Sequence, residues 1–264
     1  MGKSIINLNG ITVSYNEIGK GSPIVLLHGF CGSNGYWDNV ITKLSEHYRV
    51  IALDLPGHGE SANLEGPVTI EDIADHIKDV LDYLNVPQVT MFGHSLGGYI
   101  TLAFAEKFSQ LVNGLSLIHS TAYPDSEEAK KGREAGVEKV KKEGISVFID
   151  GLIPKLFSPD NIEKNQNDIT TAKEIGYTTS SQGVMKTLIA MKNRPDRNSV
   201  LEKAEIPVLL IAGEKDQIIP SDKTFSVSKS NIKPVLIKDS GHMSMYENPT
   251  ELINKMIEFM STVK

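Results

Sequence analysis

Cysteine is almost missing from this sequence: Cys31 is the only one in 264 residues, which excludes an internal disulfide and any cysteine metal cluster. Long hydrophobic runs are missing too. The most apolar stretches, residues 23–27 and 206–212, fall far short of the roughly 18 residues a membrane-spanning helix needs, so no membrane span is expected. Basic charge is in deficit, with 27 Lys+Arg against 33 Asp+Glu and a formal net charge of -6. That balance offers no field to phosphate backbones, so nucleic acid is not an expected partner. Residues 1–6 lack the apolar core of a signal peptide, and Ile6 stands where a myristoylation motif needs Ser or Thr; a cytoplasmic location is the expectation. What is present, 40% hydrophobic and 23% charged residues, is ordinary globular usage, which excludes disordered and collagenous chains.

The pattern of apolar residues points to an α/β fold. Near the start, Ile5, Ile6 and Leu8 are separated from Ile11, Val13 and Tyr15 by Asn9-Gly10, a pair that tolerates the positive φ angles of a type I′ turn, so a β-hairpin is expected there. Short continuous apolar runs follow at 24–27, 50–53, 89–92, 115–118, 208–212 and 235–237, as strands buried on both faces require. Helical spacing at 37–44, 70–84, 96–108 and 252–260 lies between or after them. Strand alternating with helix implies a mostly parallel central sheet flanked by helices.

One segment breaks the rhythm. Residues 123–198 show helical stretches and no convincing buried strand, and 127–143 carries Glu, Lys and Arg on nearly every side. Downstream apolar residues, among them Phe148, Leu152, Phe157, Met185, Leu188 and Ile189, need something to pack against. A helical cap over residues 123–198, inserted into a core made of 1–122 and 199–264, meets both requirements.

Residues 89–98 run from an apolar strand through Gly93-His94-Ser95-Leu96-Gly97 into a helical stretch. That is the context of a sharp turn that projects its central serine at the top of a sheet. A serine hydroxyl is a weak nucleophile at neutral pH and needs a base, which in turn needs an orienting acceptor. Asp216 follows the strand at 208–212 in a loop, and His242 follows the strand at 235–237 in Asp239-Ser240-Gly241-His242-Met243. Glu214 is an alternative acid two residues from Asp216.

On these motifs, together with His28-Gly29-Phe30 and Asp54-Leu55-Pro56-Gly57-His58-Gly59-Glu60-Ser61, the sequence resembles the α/β-hydrolase-fold serine hydrolases, esterases and lactonases, over nearly its whole length. The resemblance implies Ser95 as nucleophile, His242 as base, Asp216 as the orienting acid, and the backbone N–H groups of Phe30 and Leu96 as oxyanion hole. It also implies no cofactor and a small-molecule ester-type substrate. Candidate pocket residues are Phe30, Cys31, Phe148, Leu152, Phe157, Met185, Ile189 and Met243.

Rival readings rest on the same residues. Residues 57–62 match the Gly-x-Gly-x-x-Ala dinucleotide fingerprint, but Asn63, Gly66 and Pro67 stand where its helix should continue. His28, His58 and His94 sit in turn motifs and read as structural hydrogen-bonding residues; His47, His76 and His119 lack a glycine-framed loop and read the same way. Asp54 reads as a loop-capping acceptor. No ligand-spaced His or carboxylate cluster appears, so no metal is expected. A carbon–carbon bond hydrolase would use the same triad on a dianionic substrate, with Lys155, Lys186 and Arg194 as the available cations. A receptor-like protein with little turnover is the third reading, and the oligomeric state is open.

Overall fold

The computed structural model describes residues 2–263. One eight-stranded sheet is built from β1 (Lys3–Leu8), β2 (Ile11–Ile18), β3 (Pro23–Leu27), β4 (Arg49–Leu53), β5 (Val89–His94), β6 (Val112–Ile118), β7 (Val208–Gly213) and β8 (Ile232–Ile237), in the spatial order β1-β2-β4-β3-β5-β6-β7-β8. The helices are α1 (Asp38–Leu44), α2 (Ile70–Tyr83), α3 (Leu96–Lys107), α4 (Glu127–Glu143), α5 (Ile145–Leu152), α6 (Gln166–Thr178), α7 (Ser181–Asn193), α8 (Asn198–Lys203), α9 (Ser221–Thr224), α10 (Ser244–Glu247) and α11 (Pro249–Met260).

β1 and β2 pair antiparallel through the turn at Asn9 and Gly10, whose φ angles of 53° and 86° are both positive, as a type I′ hairpin demands. β2 joins β4 antiparallel, and every pairing from β4 to β8 is parallel. The central strands β5 and β7 are buried along their whole length, which explains why their sequences are continuously apolar. β8 departs from that expectation. It is an edge strand with Lys233, Pro234 and Leu236 exposed, and proline, having no N–H to donate, is confined to such edges.

Helix α2 starts on a capping box in which Thr69 and Asp72 each satisfy the other's backbone N–H. Helix α3 is buried at every residue from Leu96 to Ala105, so it shows almost no polar face and follows the sharp turn straight into the core.

Between β6 and β7 the chain contains helices and no strand. Helix α4 buries only Val137 and Val140 and packs against α7; its remaining charged surface meets water. This helical excursion is seated on three loops at the carboxyl ends of the strands. On the first, Ser180 N donates to Gly57 O and Lys186 Nζ to Leu64 O. On the second, His242 N donates to Leu156 O. On the third, Arg197 N donates to Ala122 O.

Candidate active site

Ser95 ends β5 and precedes α3 with φ 50° and ψ −110°, a conformation that costs a non-glycine residue about 1–3 kcal/mol. The surroundings enforce it. Gly93 and Gly97 cannot carry a side chain: a Cβ on Gly93 would lie 2.3 Å from Gly97 O, and one on Gly97 2.3 Å from Leu27 O. Ser95 N donates to Ile118 O, and Ser120 Oγ to Ser95 O. Ser95 is partly exposed while residues 91–94 and 96–100 are all buried, so the turn presents one hydroxyl and hides its neighbours.

His94, next to Ser95 in the chain, donates from Nε2 to His242 O and so joins the turn to a wall of buried polar groups. His242 Nδ1 is 2.8 Å from Asp216 Oδ2, while Asp216 Oδ1 accepts from the N–H groups of Ile218 and Ile219. Burial alone would push the Asp216 carboxyl up, but the adjacent His242 and His119 outweigh it and hold the group well below the usual carboxylate range. An ionised Asp216 accepts the His242 Nδ1–H, which leaves Nε2 as the free lone pair on that ring. Glu214 turns elsewhere, accepting from Asp239 N at 3.1 Å.

Two residues of this wall are not evident from sequence. His119, read there as a bland structural histidine, closes β6 with φ 47°. Its Nδ1 lies 3.3 Å from Asp216 Oδ2 and its Nε2 2.7 Å from Ser244 Oγ. The available signal is its place at the carboxyl end of a buried parallel strand, where sites of open α/β sheets gather. Glu247 is buried as well. Its carboxylate accepts from Gly241 N (2.8 Å), Met243 N (3.3 Å), Ser158 N (2.8 Å) and Asn161 Nδ2 (2.9 Å), stitching the His242 loop to the helical excursion. No local motif announces it.

His119, Asp216 and His242 together bring three potential metal-ligating atoms within 4.8 Å of one another, a grouping absent from the linear spacing. His242 Nδ1 is hydrogen-bonded to the carboxylate and His119 Nδ1 approaches it to 3.3 Å, so the residues fit a polar cluster around Asp216.

The other histidines match their structural reading. His28 Nε2 accepts from Leu55 N and its Nδ1 donates to Gly29 O; burial lowers its pKa to about 4. His58 Nδ1 donates to Pro56 O, and burial, with His28 nearby, lowers it to about 3. His94 Nε2 donates to His242 O at 2.9 Å, tying the turn to the His242 loop. Asp54 accepts from Asn34 N and Glu60 N, a loop acceptor as expected.

Among the pocket candidates, Phe30, Phe148, Leu152 and Met185 are partly buried against the core, and the Phe30 and Phe148 rings meet edge to face at 6.0 Å. Four candidates are corrected. Cys31, Phe157 and Met243 are buried and pack inside rather than line open space; burial also raises the Cys31 thiol pKa, which makes it inert. Ile189 is 46% exposed and lines a 350 Å³ cleft with α4 residues Arg133 and Val137, on the far side of α7. At 3.6 residues per turn its direction follows the helix phase, which composition does not reveal.

Of the expected oxyanion donors, Leu96 directly follows Ser95, and the loop of Phe30 passes close to the turn, a Cβ on Gly29 lying 3.4 Å from Ser95 Cβ. Phe30 precedes Cys31, whose φ is 59°, and Leu96 opens α3, where N–H groups have no intrahelical partner. No backbone carbonyl takes up either N–H among the described residues.

Comparison with known proteins agrees with this architecture. A family model described as the alpha/beta hydrolase fold matches residues 22–138. The chain is 27% identical, over 97% of its length and 90% of the relative's, to a 2-hydroxy-6-oxo-6-(2'-aminophenyl)hexa-2,4-dienoic acid hydrolase of Metapseudomonas resinovorans. A thermophilic esterase from Thermogutta terrifontis superposes with a TM-score of 0.92 at 28% identity, covering 99% of this chain and 98% of that one. An enol-lactonase from Burkholderia xenovorans LB400 shares the fold with a TM-score of 0.90 at 22% identity, covering 98% and 100%. No described helix is long and apolar enough to cross a membrane. The chain has the α/β-hydrolase fold.

Proposed function

We propose that the protein is a cofactor-free serine hydrolase that cleaves a carboxylic ester, lactone or thioester through an acyl-enzyme on Ser95. The observation that carries the reading is a strained, partly exposed Ser95 on a turn whose His94 donates to His242 O, together with a His242 whose Nδ1 is held at 2.8 Å by an ionised Asp216. In this reading His242 Nε2 takes the Ser95 proton as Oγ attacks the carbonyl carbon. The N–H groups of Phe30 and Leu96 receive the charge that develops on the carbonyl oxygen, a contribution of about 3–4 kcal/mol per donor. His242 returns the proton to the departing alcohol or thiol. It then deprotonates the water that attacks the acyl-enzyme, and protonates Ser95 Oγ as the carboxylic acid leaves. Residues 123–198 act as a cap whose Phe148, Leu152 and Met185 shape the acyl or alcohol pocket.

Likeness to the Metapseudomonas hydrolase favours a second reading, carbon–carbon bond cleavage. Its dianionic substrates call for free cations, and the three nominated by sequence are otherwise placed. Arg194 is bound to Asp125 at 2.6 Å and stacked 3.9 Å over Tyr99, Lys186 donates to Leu64 O, and Lys155 is exposed. These engagements support the ester reading.

Multiple turnover of p-nitrophenyl esters of increasing chain length, wild type beside Ser95→Ala, with fluorophosphonate labelling mapped by mass spectrometry, tests it. Labelling at Ser95 with Ser95-dependent release is expected. Full turnover by Ser95→Ala would remove the assignment; ligand-stabilised melting without turnover would point to the receptor-like reading.

A further inference from the structure

The carboxylate of Asp216 faces two imidazoles, and a Ser–His–Asp mechanism uses one. His119 is fully buried, and apart from its 3.3 Å approach to Asp216 Oδ2 its Nδ1 meets no polar partner. A bare lone pair there would face a carboxylate oxygen across a dry interface, which is repulsive. Nδ1 therefore carries the proton, and Nε2 accepts from the Ser244 hydroxyl at 2.7 Å. Ser244 lies two residues beyond His242, so the contacts close a ring: Asp216 to His119, His119 to Ser244, back along the chain to His242, and from His242 Nδ1 to Asp216 again.

We propose, resting on the serine-hydrolase reading above, that His119 is a positioning residue for the acid–base pair, holding Asp216 Oδ2 with a second N–H and anchoring the loop that carries His242.

The ring has two consequences. A second donor on Oδ2 spreads the carboxylate's charge, so Asp216 attracts a proton on its partner imidazole less strongly than an acid with one partner would. At 3.3 Å the contact is longer than the 2.8 Å bond to His242, as expected of a resting site whose hydrogen bonds tighten when charge develops. The other titratable groups packed around the pair are His94, whose ring centroid is 6.0 Å from His119 and 5.0 Å from His242, and Glu247 on the following helix. Burial, first, and the proximity of His242 and His119 keep His94 well below its usual pKa and neutral, while burial lowers His119 itself.

The test compares His119→Asn with His119→Leu in kcat/KM against pH. Asn places an amide N–H where Nδ1 stands and tolerates the left-handed φ of 47°. For His119→Leu the acid limb moves to higher pH by about 0.5–1 unit and kcat falls roughly tenfold with KM held, whereas His119→Asn brings the limb back toward wild type. A His119→Leu profile that superimposes on wild type, or equal losses in both variants with an unmoved limb, would overturn the proposal. If either variant melts early, Ser244→Ala, which removes the other end of the ring, is the deciding measurement: a smaller shift in the same direction supports it and an unmoved limb overturns it. Turnover that survives Ser95→Ala would sink the serine-hydrolase reading itself; Ser95-dependent turnover with an unmoved limb would sink only the role of His119.

Discussion

The turn that carries Ser95 and the wall that carries Asp216 and His242 both follow the carboxyl ends of strands of the same sheet, yet they are held by different physics. The turn is steric. Its shape comes from Gly93, pressed against Gly97 O, and Gly97, pressed against Leu27 O of the neighbouring strand β3, and its hydrogen bonds are to the Ile118 carbonyl and to Ser95's own carbonyl. The wall is a hydrogen-bonded network whose members come from the ends of β6 and β7, the loop after β8, helix α10 and the helical segment between β6 and β7. A steric device loses function when its reactive atom is removed and little else changes. A network loses stability and function together, because every removed acceptor strands buried donors.

Substitutions can break that contrast. The largest effect is expected at the turn: Ser95→Ala lowers kcat on esters by a factor on the order of 10⁴ or more, while the melting temperature holds, since the hydroxyl takes no part in the hydrogen bonds that shape the turn. A substantial drop in melting temperature would show that the turn is not self-contained. At the wall, Asp216→Asn lowers kcat by about 10³–10⁴-fold and also destabilises the fold by about 1–3 kcal/mol, because an amide N–H then points at an imidazole N–H. Denaturant unfolding beside steady-state kinetics separates the two cases. Glu247→Gln is the next probe. Four N–H groups and the Ser240 hydroxyl meet the Glu247 carboxylate, more donors than a single amide oxygen can satisfy, so about 1–3 kcal/mol is lost with a smaller fall in kcat. Equal stability of wild type and Glu247→Gln would mean that the helical segment between β6 and β7 and the His242 loop are not joined through this carboxylate.

Acid sharpens the comparison further. His28 and His58 are neutral in the fold, with pKa values lowered by burial to about 4 and about 3, and regain an ordinary value of about 6.5 when unfolded. Below about pH 6.5 the unfolded chain binds protons that the folded chain refuses, so stability falls as pH drops from there toward 4. Calorimetry should show the melting temperature declining across that window; a flat profile would contradict the buried neutral state. The smallest effect belongs to Ile189→Ser. On the exposed side of α7 it should change stability by less than about 0.5 kcal/mol and leave the ester chain-length optimum unchanged, whereas a shifted optimum would return Ile189 to the pocket.

Much of this architecture is legible along the chain because it is decided locally. Asn9-Gly10 announces a hairpin by its tolerance of positive φ, continuous apolar runs announce parallel strands covered on both faces, and a serine framed by Gly93 and Gly97 between strand and helix announces the sharp turn. Charge on nearly every side of 127–143 marks a helix that meets water, as α4 does. Only the tertiary structure reveals that His119 meets Ser244 across 125 positions, that Ser158 meets Glu247 across 89, that Arg194 is engaged by Asp125, and that Ile189 faces outward. The physical reason is range. Backbone sterics act between neighbours and leave their mark in adjacent letters, whereas a buried donor or acceptor is satisfied by whatever the packed sheet, loops and helices bring within about 3 Å, and no spacing in the chain encodes that.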